Sequence, residues 1–428
     1  MDILVIGGGG REHAIIRKIK ESPDCGTVYC APGNGGIAAD AICCPEVKAT
    51  DIDGAVKLAL DKKVDFVIVA PDDPLVAGMV DAMNAAGLPA FGPNKAAAII
   101  EGSKAFSKDL MKKYGIPTAQ YEVFTDAAKA IEYVRARGEY PTVVKADGLA
   151  LGKGVIIAKD EAEAVAAITD MLEGNKFGAS GSRIVIEQFL EGPEVSVLAL
   201  TDGNVMIPLT SAMDHKRAYD RDEGLNTGGM GTIAPNPAFT PEVAEKAMQR
   251  IFLPTMEAMK QEGRTFRGCL FFGLMVVGGE PYVIEYNCRF GDPETQVVLP
   301  LMEGDLLRAM VATAKGELAT VPVSVKPGSA ACVVMASGGY PVKYESGKEI
   351  TGLDEQGQVP GATVYHAGTK RQDGKYLTAG GRVLGVTALG DTLNDALDGA
   401  YAAVQRISFE KAHYRHDIGR KAGGKYGN

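Results

Sequence analysis

The sequence predicts a multidomain chain of mixed α/β and α+β class: an N-terminal open parallel α/β domain, a central domain with a mobile lid subdomain, and a small C-terminal α+β domain. Three observations predict it. The length, 428 residues, suggests about three domains at roughly 150 residues each. Short apolar runs alternate with helix-period segments over the first hundred residues, as in βαβ units. The rhythm then changes twice, near Gly102 and after Pro322 and Pro327.

Ile3-Leu4-Val5-Ile6 is an apolar run stopped by four glycines, after which Ile15, Ile16 and Ile19 fall at helical spacing: strand, turn, helix. Further strands are expected over Thr27 to Ala31, Val64 to Ala70 and Pro89 to Gly92, which closes a first domain over 1–102. A second domain, 103–325, carries strands at Thr142 to Lys145, Gly154 to Ala158 and Arg183 to Gln188. Within it, about 119–190 forms a compact block built to move as a lid. Phe271 to Val277 and Tyr282 to Tyr286, joined through Gly278-Gly279, read as a hairpin. The third domain, 326–428, has strands at Ala330 to Ala336 and Ala362 to Gly368 and a last helix from Asp391, begun by the capping pair Thr392 and Asp395.

Composition excludes several classes. Lys plus Arg number 45 and Asp plus Glu 54, a formal charge of −9, with 46% hydrophobic and 23% charged residues, which is not the balance of a disordered chain. The acidic total argues against a nucleic-acid partner. The apolar runs are far short of the roughly 20 residues that span a bilayer, and Arg11, Glu12 and His13 break the signal-peptide order, so cytoplasmic residence is expected. Seven scattered cysteines without a C-x-x-C pair read as reduced packing thiols.

Five segments carry chemistry. Gly7-Gly8-Gly9-Gly10-Arg11-Glu12 sits where a strand enters a helix, so its amides can hold a phosphate or simply make a turn; the dinucleotide fingerprint fails because its third glycine falls on Glu12. Gly33-Asn34-Gly35-Gly36 offers a second set of amides at the same sheet edge. Gly148 to Gly154, with Lys153 inside it and Lys145 before it, is not a Walker A loop; it reads as a polyphosphate cover or as a solvated hairpin tip. Glu285 and Asn287, two apart on a strand, project from one face with Arg289 beyond. They are hard oxygen ligands suited to Mg²⁺, or else a polar strand edge, and Gly291-Asp292-Pro293-Glu294 adds charge beside them. A glycine-dense loop, Asn226 to Gly231, follows Asp214-His215-Lys216-Arg217; loops of that length usually bind something, while a lone His215 is given no catalytic part.

Together Gly7 to His13, Phe91-Gly92-Pro93, Glu101-Gly102-Ser103-Lys104, Lys145 to Gly154, Asn226 to Gly231 and Glu285 to Gln296 resemble, in order and over nearly the whole chain, the phosphoribosylamine–glycine ligase family of the ATP-grasp superfamily. The resemblance implies an ATP-grasp domain at 103–325 and a ligase of purine biosynthesis. Glycine's carboxylate would attack the γ-phosphate of ATP, and the amine of 5-phosphoribosylamine would attack the acyl phosphate so formed. It implies Lys145, Lys153 and Arg289 as catalytic residues, and Lys104, Lys145, Gly152, Lys153, Gly154, Glu187, Phe189, Leu190 and Glu194 at ATP, with Glu194 on the ribose hydroxyls. Glu285 and Asn287 match the metal ligands, for Mg²⁺ with Mn²⁺ as the alternative; a carboxylate common twelve residues earlier is replaced by Gly273.

For the sugar phosphate and glycine it implies Gly9, Gly10, Arg11, Gly33, Asn34, Gly35, Gly36, Asp72, Asp214, Lys216, Gly228, Gly229, Met230, Gly231, Arg289 and Asp292. Asp72 stands where the family usually has glutamate, one methylene longer. A transient contact with the enzyme that supplies phosphoribosylamine is a further implied partner. Competing readings are another ATP-grasp carboxylate ligase using bicarbonate or formate, a nucleotide-binding regulator without turnover, and a dehydrogenase resting on the first glycine turn alone.

Overall fold

The computed structural model describes residues 1–149, 154–174 and 181–424. Five parallel strands, β1 (Ile3–Gly7), β2 (Val28–Pro32), β3 (Ile42–Cys43), β4 (Phe66–Val69) and β5 (Ala90–Phe91), form the first sheet in the order β3-β2-β1-β4-β5. Helices α1 (Gly10–Ile19), α2 (Ile52–Lys62), α3 (Asp72–Ala77) and α4 (Met79–Ala85) connect them. β1 and β4 are apolar without alternation because both their faces are covered: Leu4 and Ile6 pack into one core and Ile3 and Val5 into another. The strand order reverses between β1 and β4, and ligands of such sheets bind in the crevice beyond the strand ends at that point. Gly9 and Asp72 lie there.

Helices α5 (Lys95–Gly102) and α6 (Lys104–Lys113) lead into the second domain. The lid is an antiparallel sheet of β6 (Tyr121–Phe124), β7 (Thr142–Ala146), β8 (Val155–Ala158) and β9 (Ile184–Gln188), ordered β6-β9-β7-β8, with α7 (Ala127–Arg137) and α8 (Glu161–Leu172). Asp126 and Asp160 start these helices by accepting from the Lys129 and Glu163 N–H groups. Ala130, Val134, Val144, Ile168 and Ile186 give the lid a core of its own.

The rest of the domain is built on β10 (Glu194–Thr201), β11 (Met206–Asp214), a ribbon of β12 (Arg217–Tyr219) and β13 (Glu223–Asn226), β14 (Gly231–Ala234), α9 (Pro241–Ala247), α10 (Leu253–Gln261), β15 (Gly268–Val277) and β16 (Glu280–Asn287). β15 and β16 are the expected hairpin, turning through Gly278 and Gly279 at φ of 58° and 81°. Beyond it come α11 (Thr295–Leu301), the short pair β17 (Met302–Glu303) and β18 (Ser324–Val325) flanking α12 (Leu306–Lys315), and then β19 (Ser329–Ala336). β20 (Glu349–Ile350), β21 (Thr363–His366), β22 (Thr369–Gln372), β23 (Lys375–Thr378), β24 (Arg382–Gly390) and α13 (Leu393–Val404) complete the chain. The capping box of Thr392 and Asp395 forms as expected.

One feature of the sheet departs from three side-by-side units. Eight strands run in a single sheet, β16-β15-β10-β11-β14-β19-β24-β21. β14 pairs with β11 on one side and β19 on the other, Asp214 to Thr232 to Cys332. The third domain therefore continues the sheet of the second. Its other joint is with the first domain, where the His366 N–H donates to His13 Nδ1 at 2.9 Å and His13 Nε2 meets Asp40 at 3.0 Å.

Burial keeps these imidazoles neutral. His366 is pushed down to about 3 and His215 to about 4, in each case first by loss of water. Both imidazoles titrate near 6.5 once unfolded, so below that pH the unfolded chain binds more protons and stability falls as pH falls. Each histidine contributes a slope of about 1.4 kcal/mol per pH unit. Urea unfolding at pH 7.5, 6 and 5 should show this decline, and His366→Gln should remove about 1.4 kcal/mol per pH unit of it; an unchanged slope would mean a charged, solvated His366.

Candidate active site

The site begins with four lysines that converge from three elements. Lys145, on buried β7, donates to the Ile284 carbonyl at 3.0 Å and lies 3.0 Å from Glu187 on β9. Lys108, on α6, holds the other Glu187 oxygen at 2.9 Å and donates to Thr118 at 2.7 Å. Burial pushes the Lys108 ammonium down to about 8 even against the pull of Glu187. Lys104, at the start of α6, donates to the Gly148 carbonyl at 2.8 Å; burial first, and Lys145 next among lowering influences, holds its pKa below the ordinary value. Lys216, just past β11, sits 3.1 Å from Glu194 and 3.6 Å from Glu285, and Glu194 above all keeps its proton on.

Glu285 is thereby surrounded. Lys216 foremost, then Lys145 and Lys104, hold its carboxyl below the usual range in spite of burial. It pairs across the hairpin with Gly273, and Asn287 pairs with Phe271. A Cβ at Gly273 would come within 2.8 Å of Glu285 Cγ, so the missing side chain is what gives Glu285 its room. Asn287 donates its Nδ2 to Glu101 at 2.8 Å, which leaves its amide oxygen as an acceptor. One ionised carboxylate and one amide oxygen on a single strand face fit an oxygen-seeking divalent ion whose other positions come from phosphate and water. Among the described residues no cluster of three or more His, Cys, Asp or Glu could hold a metal.

Arg289 follows on the same run. Its guanidinium lies 3.3 Å from Glu101 and 4.0 Å from Asp72. Burial opposes its charge, but Glu101 and Asp72 outweigh burial and raise its pKa. Glu101, in the last turn of α5, also accepts the Cys288 N–H at 2.7 Å. Asp72 is thus placed beside Arg289 in spite of its shorter side chain.

The glycine turns divide. Gly9 lies at the mouth of the crevice, facing Asp292, although its N–H is taken by Glu12 at 2.6 Å. Arg11 is turned inward, to Glu12 at 2.6 Å and the Phe290 carbonyl at 3.1 Å, so it braces the Phe290 turn rather than reaching for a ligand. Gly33, Asn34, Gly35 and Gly36 already have partners within the chain. The Gly33 amide donates to Gly7, Gly35 to Thr369 and Gly36 to the Asn34 side chain. Asn34 in turn donates to Gly8 and His366, and a Cβ at Gly36 would collide with the His366 ring. The bonds to Thr369 and His366 seat the third domain, those to Gly7 and Gly8 join the two glycine turns, and that of Gly36 closes its own turn.

The second loop is closer to expectation. Asp214 accepts the His215 N–H at 2.7 Å; burial and the neighbouring Glu294 push its carboxyl well above the usual range. Gly229, at φ 114°, presses against Asp214 and Pro293, where a Cβ has no space. Gly228 and Gly231 flank it, but Met230 is fully buried and bonded to His215 and Val334 through its backbone, so its side chain packs the core instead of meeting a ligand. His215 is likewise internal, bonded to Gly231 and Gly419, in keeping with its exclusion from catalysis. Glu187 points at lysines, while Phe189 and Leu190 follow β9 half-buried and Glu194 opens β10. Gly154 accepts from the Ala146 N–H; Gly152 and Lys153 lie outside the described residues.

Comparison with known proteins settles the kinship. Three family models match in order: the phosphoribosylglycinamide synthetase N domain over 1–101, its ATP-grasp (A) domain over 102–295 and its C domain over 330–421. The chain belongs to the phosphoribosylglycinamide synthetase family. Phosphoribosylamine–glycine ligases of Vibrio vulnificus and Fusobacterium nucleatum are 47% and 46% identical, with 98–99% of each chain covered. The crystal structure of the Thermotoga maritima phosphoribosylamine–glycine ligase matches at TM-score 0.85 and 34% identity, covering 98% of this chain and 100% of that one. A biotin carboxylase from Campylobacter jejuni, at 16% identity and TM-score 0.74, shares the fold. This synthetase is therefore an ATP-grasp ligase of purine biosynthesis.

Three residues of the synthetase site escaped the sequence. Glu101 lies in a recognised run but shows its part only through Asn287 and Arg289. Glu294 hydrogen-bonds Ser196 at 3.1 Å and faces Asp214 across the loop. Arg382 arrives from the third domain, about ninety residues after Asp292, with no motif to mark it.

Glu101 gives a stability test. Glu101→Ala would leave Arg289 buried beside only the distant Asp72 and orphan the Asn287 and Cys288 donors. Loss of one partner of a buried pair costs about 3–5 kcal/mol, so urea unfolding should show a drop of that size; a change below about 1 kcal/mol would mean that Arg289 is solvated.

Proposed function

We propose that this ligase joins glycine to 5-phosphoribosylamine at the crevice between the first sheet and the β15–β16 hairpin, with Glu285 and Asn287 holding Mg²⁺, or Mn²⁺ as the alternative. The observation that carries the reading is an ionised carboxylate and an amide oxygen on one strand face, ringed by Lys104, Lys145 and Lys216. When bound, the ion would neutralise charge on the transferring phosphoryl group.

The protein's own groups supply the rest. Lys104 and Lys145 contact the ATP phosphates, and Lys153, with Gly152 and Gly154, covers them from the lid. Phe189 and Leu190 border the adenine and Glu194 the ribose. Arg289 and Lys216 orient the glycine carboxylate, whose oxygen attacks the γ-phosphorus as the bond to ADP breaks. Cations fixed in advance favour this because they need no rearrangement as charge moves.

The amine nitrogen of phosphoribosylamine then attacks the acyl carbon, phosphate leaves with the former glycine oxygen, and the nitrogen loses its proton. Asp214, Asp292 and the Gly228, Gly229 and Gly231 loop border this half of the site, with Asp72, Gly9 and Gly10 towards the sugar phosphate. The helix-starting amides of Gly10 and Arg11 suit an anion there. The site faces small molecules. A cytoplasmic location and a transient contact with the enzyme that supplies the unstable amine accord with this chemistry.

Two measurements test it. Glycine labelled with ¹⁸O in its carboxylate should deliver one label to inorganic phosphate, and ADP release should require both glycine and phosphoribosylamine. Unlabelled phosphate, or equal release with bicarbonate or formate, would overturn the reaction. Glu285→Ala should cut turnover on the order of 10²–10³-fold with a native thermal midpoint; wild-type turnover would refute the metal assignment.

A further inference from the structure

Arg382 opens β24 in the third domain, yet its side chain reaches out of that domain and into the two loops that border the acceptor. Nη1 donates to the Gly228 carbonyl at 2.6 Å, the Asp292 carbonyl at 2.8 Å and, more weakly, the Gly229 carbonyl at 3.5 Å. Nη2 pairs with the Asp292 carboxylate at 3.1 Å. The other Asp292 oxygen accepts from Gln296 at 2.7 Å. Arg382 is four-fifths buried, and a Cβ at Gly228 would come 3.0 Å from its guanidinium carbon. Tyr340, also of the third domain, accepts the Gly228 N–H at 3.2 Å.

A planar guanidinium can hold several acceptors at fixed spacing; an ammonium on a flexible stem cannot. The fork here joins one loop that ends beside Asp214 to another that carries Arg289, Asp292 and Glu294. It touches none of the lysines that ring Glu285. We infer that Arg382 is a positioning residue for the acceptor half of the reaction, setting the gap between the 226–231 loop and the 289–296 segment where glycine and phosphoribosylamine meet, and leaving the nucleotide half untouched. The inference rests on the function proposed above. It gives the third domain a task in turnover, exerted through substrate loops that belong to the second.

Steady-state kinetics of wild type, Arg382→Gln and Arg382→Lys, with each of the three substrates varied in turn, test it. A shift of loops by a fraction of an ångström should raise the KM for glycine or phosphoribosylamine about tenfold or more in Arg382→Gln, with the KM for ATP within about twofold. Arg382→Lys should recover part of the loss, since an ammonium can still reach Asp292 but cannot also span to Gly228. Unchanged constants would overturn the inference. So would an equal loss for all three substrates with a lowered thermal midpoint, the mark of a merely structural residue. Should Arg382→Gln fail to fold, Arg382→Lys is read by the same split between acceptor and ATP constants. Absence of wild-type turnover with glycine and phosphoribosylamine would instead overturn the function on which the inference rests, a result distinct from normal wild-type turnover with an unselective variant.

Discussion

Like charges have to be kept together in the lysine cluster, and this constraint shapes the site. Two ammonium groups a few ångströms apart repel by several kcal/mol at the effective dielectric of a protein site, roughly 4 kcal/mol at 4 Å. The chain resolves this by interleaving carboxylates: Glu187 between Lys108 and Lys145, and Glu285 and Glu194 about Lys216. Lys104 and Lys145 also donate to backbone carbonyls, acceptors that are weaker than phosphate oxygens and can be exchanged for them. The site is thus charged, assembled and still open to exchange.

The same logic separates residues that hold the site from residues that meet the ligand. Lys108 is almost fully enclosed and already has two oxygen partners; its influence on Lys145 passes through their shared partner Glu187. Glu101 is likewise enclosed, and it fixes Asn287, Cys288 and Arg289 at once. Such groups are costly to remove because each leaves charges or donors buried without partners.

How much of this could be read from the sequence follows from the kind of signal each feature leaves. Strands β1 and β4 and the cap of α13 were legible because burial on two faces and a reciprocal cap both demand particular residue types. The shared face of Glu285 and Asn287 is legible because a strand has a two-residue period, whereas Gly273 is singled out by the family resemblance alone: a register shift between Gly273 and Leu274 means that the turn by itself does not set its pairing with Glu285. The continuity of the sheet through β14 was not, since four residues, Gly231–Ala234, carry it through backbone hydrogen bonds that any residues could make. The partners of Gly33 to Gly36 are illegible for a related reason. Glycine marks close approach without saying what approaches, and here it is His366 and the Thr369 carbonyl. The burial of Met230 is illegible among its glycine neighbours, although an unbranched apolar side chain there is suited to filling the core. Arg382 was invisible because its partners are mostly main-chain carbonyls far away in sequence.

The distribution of cores explains how one chain reconciles a fixed site with a nucleotide that must enter and leave. Residues of the first sheet and of the eight-stranded sheet share two cores: Leu4 with Phe272 and Tyr286, and Ile3 with Leu198 and Phe271. The crevice walls, which carry Asp72, Glu285 and Arg289, are therefore joined by contiguous packing that resists relative displacement. The third domain is tied in twice more, by sheet pairing through β14 and by the His366 seat on Asn34 and Gly36. The block of β6 to β9 packs on itself, attached to the rest mainly through polar contacts at its root, such as Asp147 with Ser103 and Ala105, Arg183 with Ser103 and Lys145 with Ile284. Interfaces of that polar kind open at lower free energy than shared apolar cores. Relative motion therefore costs least at the block of β6 to β9, while the 226–231 and 289–296 segments, bridged by Arg382, are held to one another.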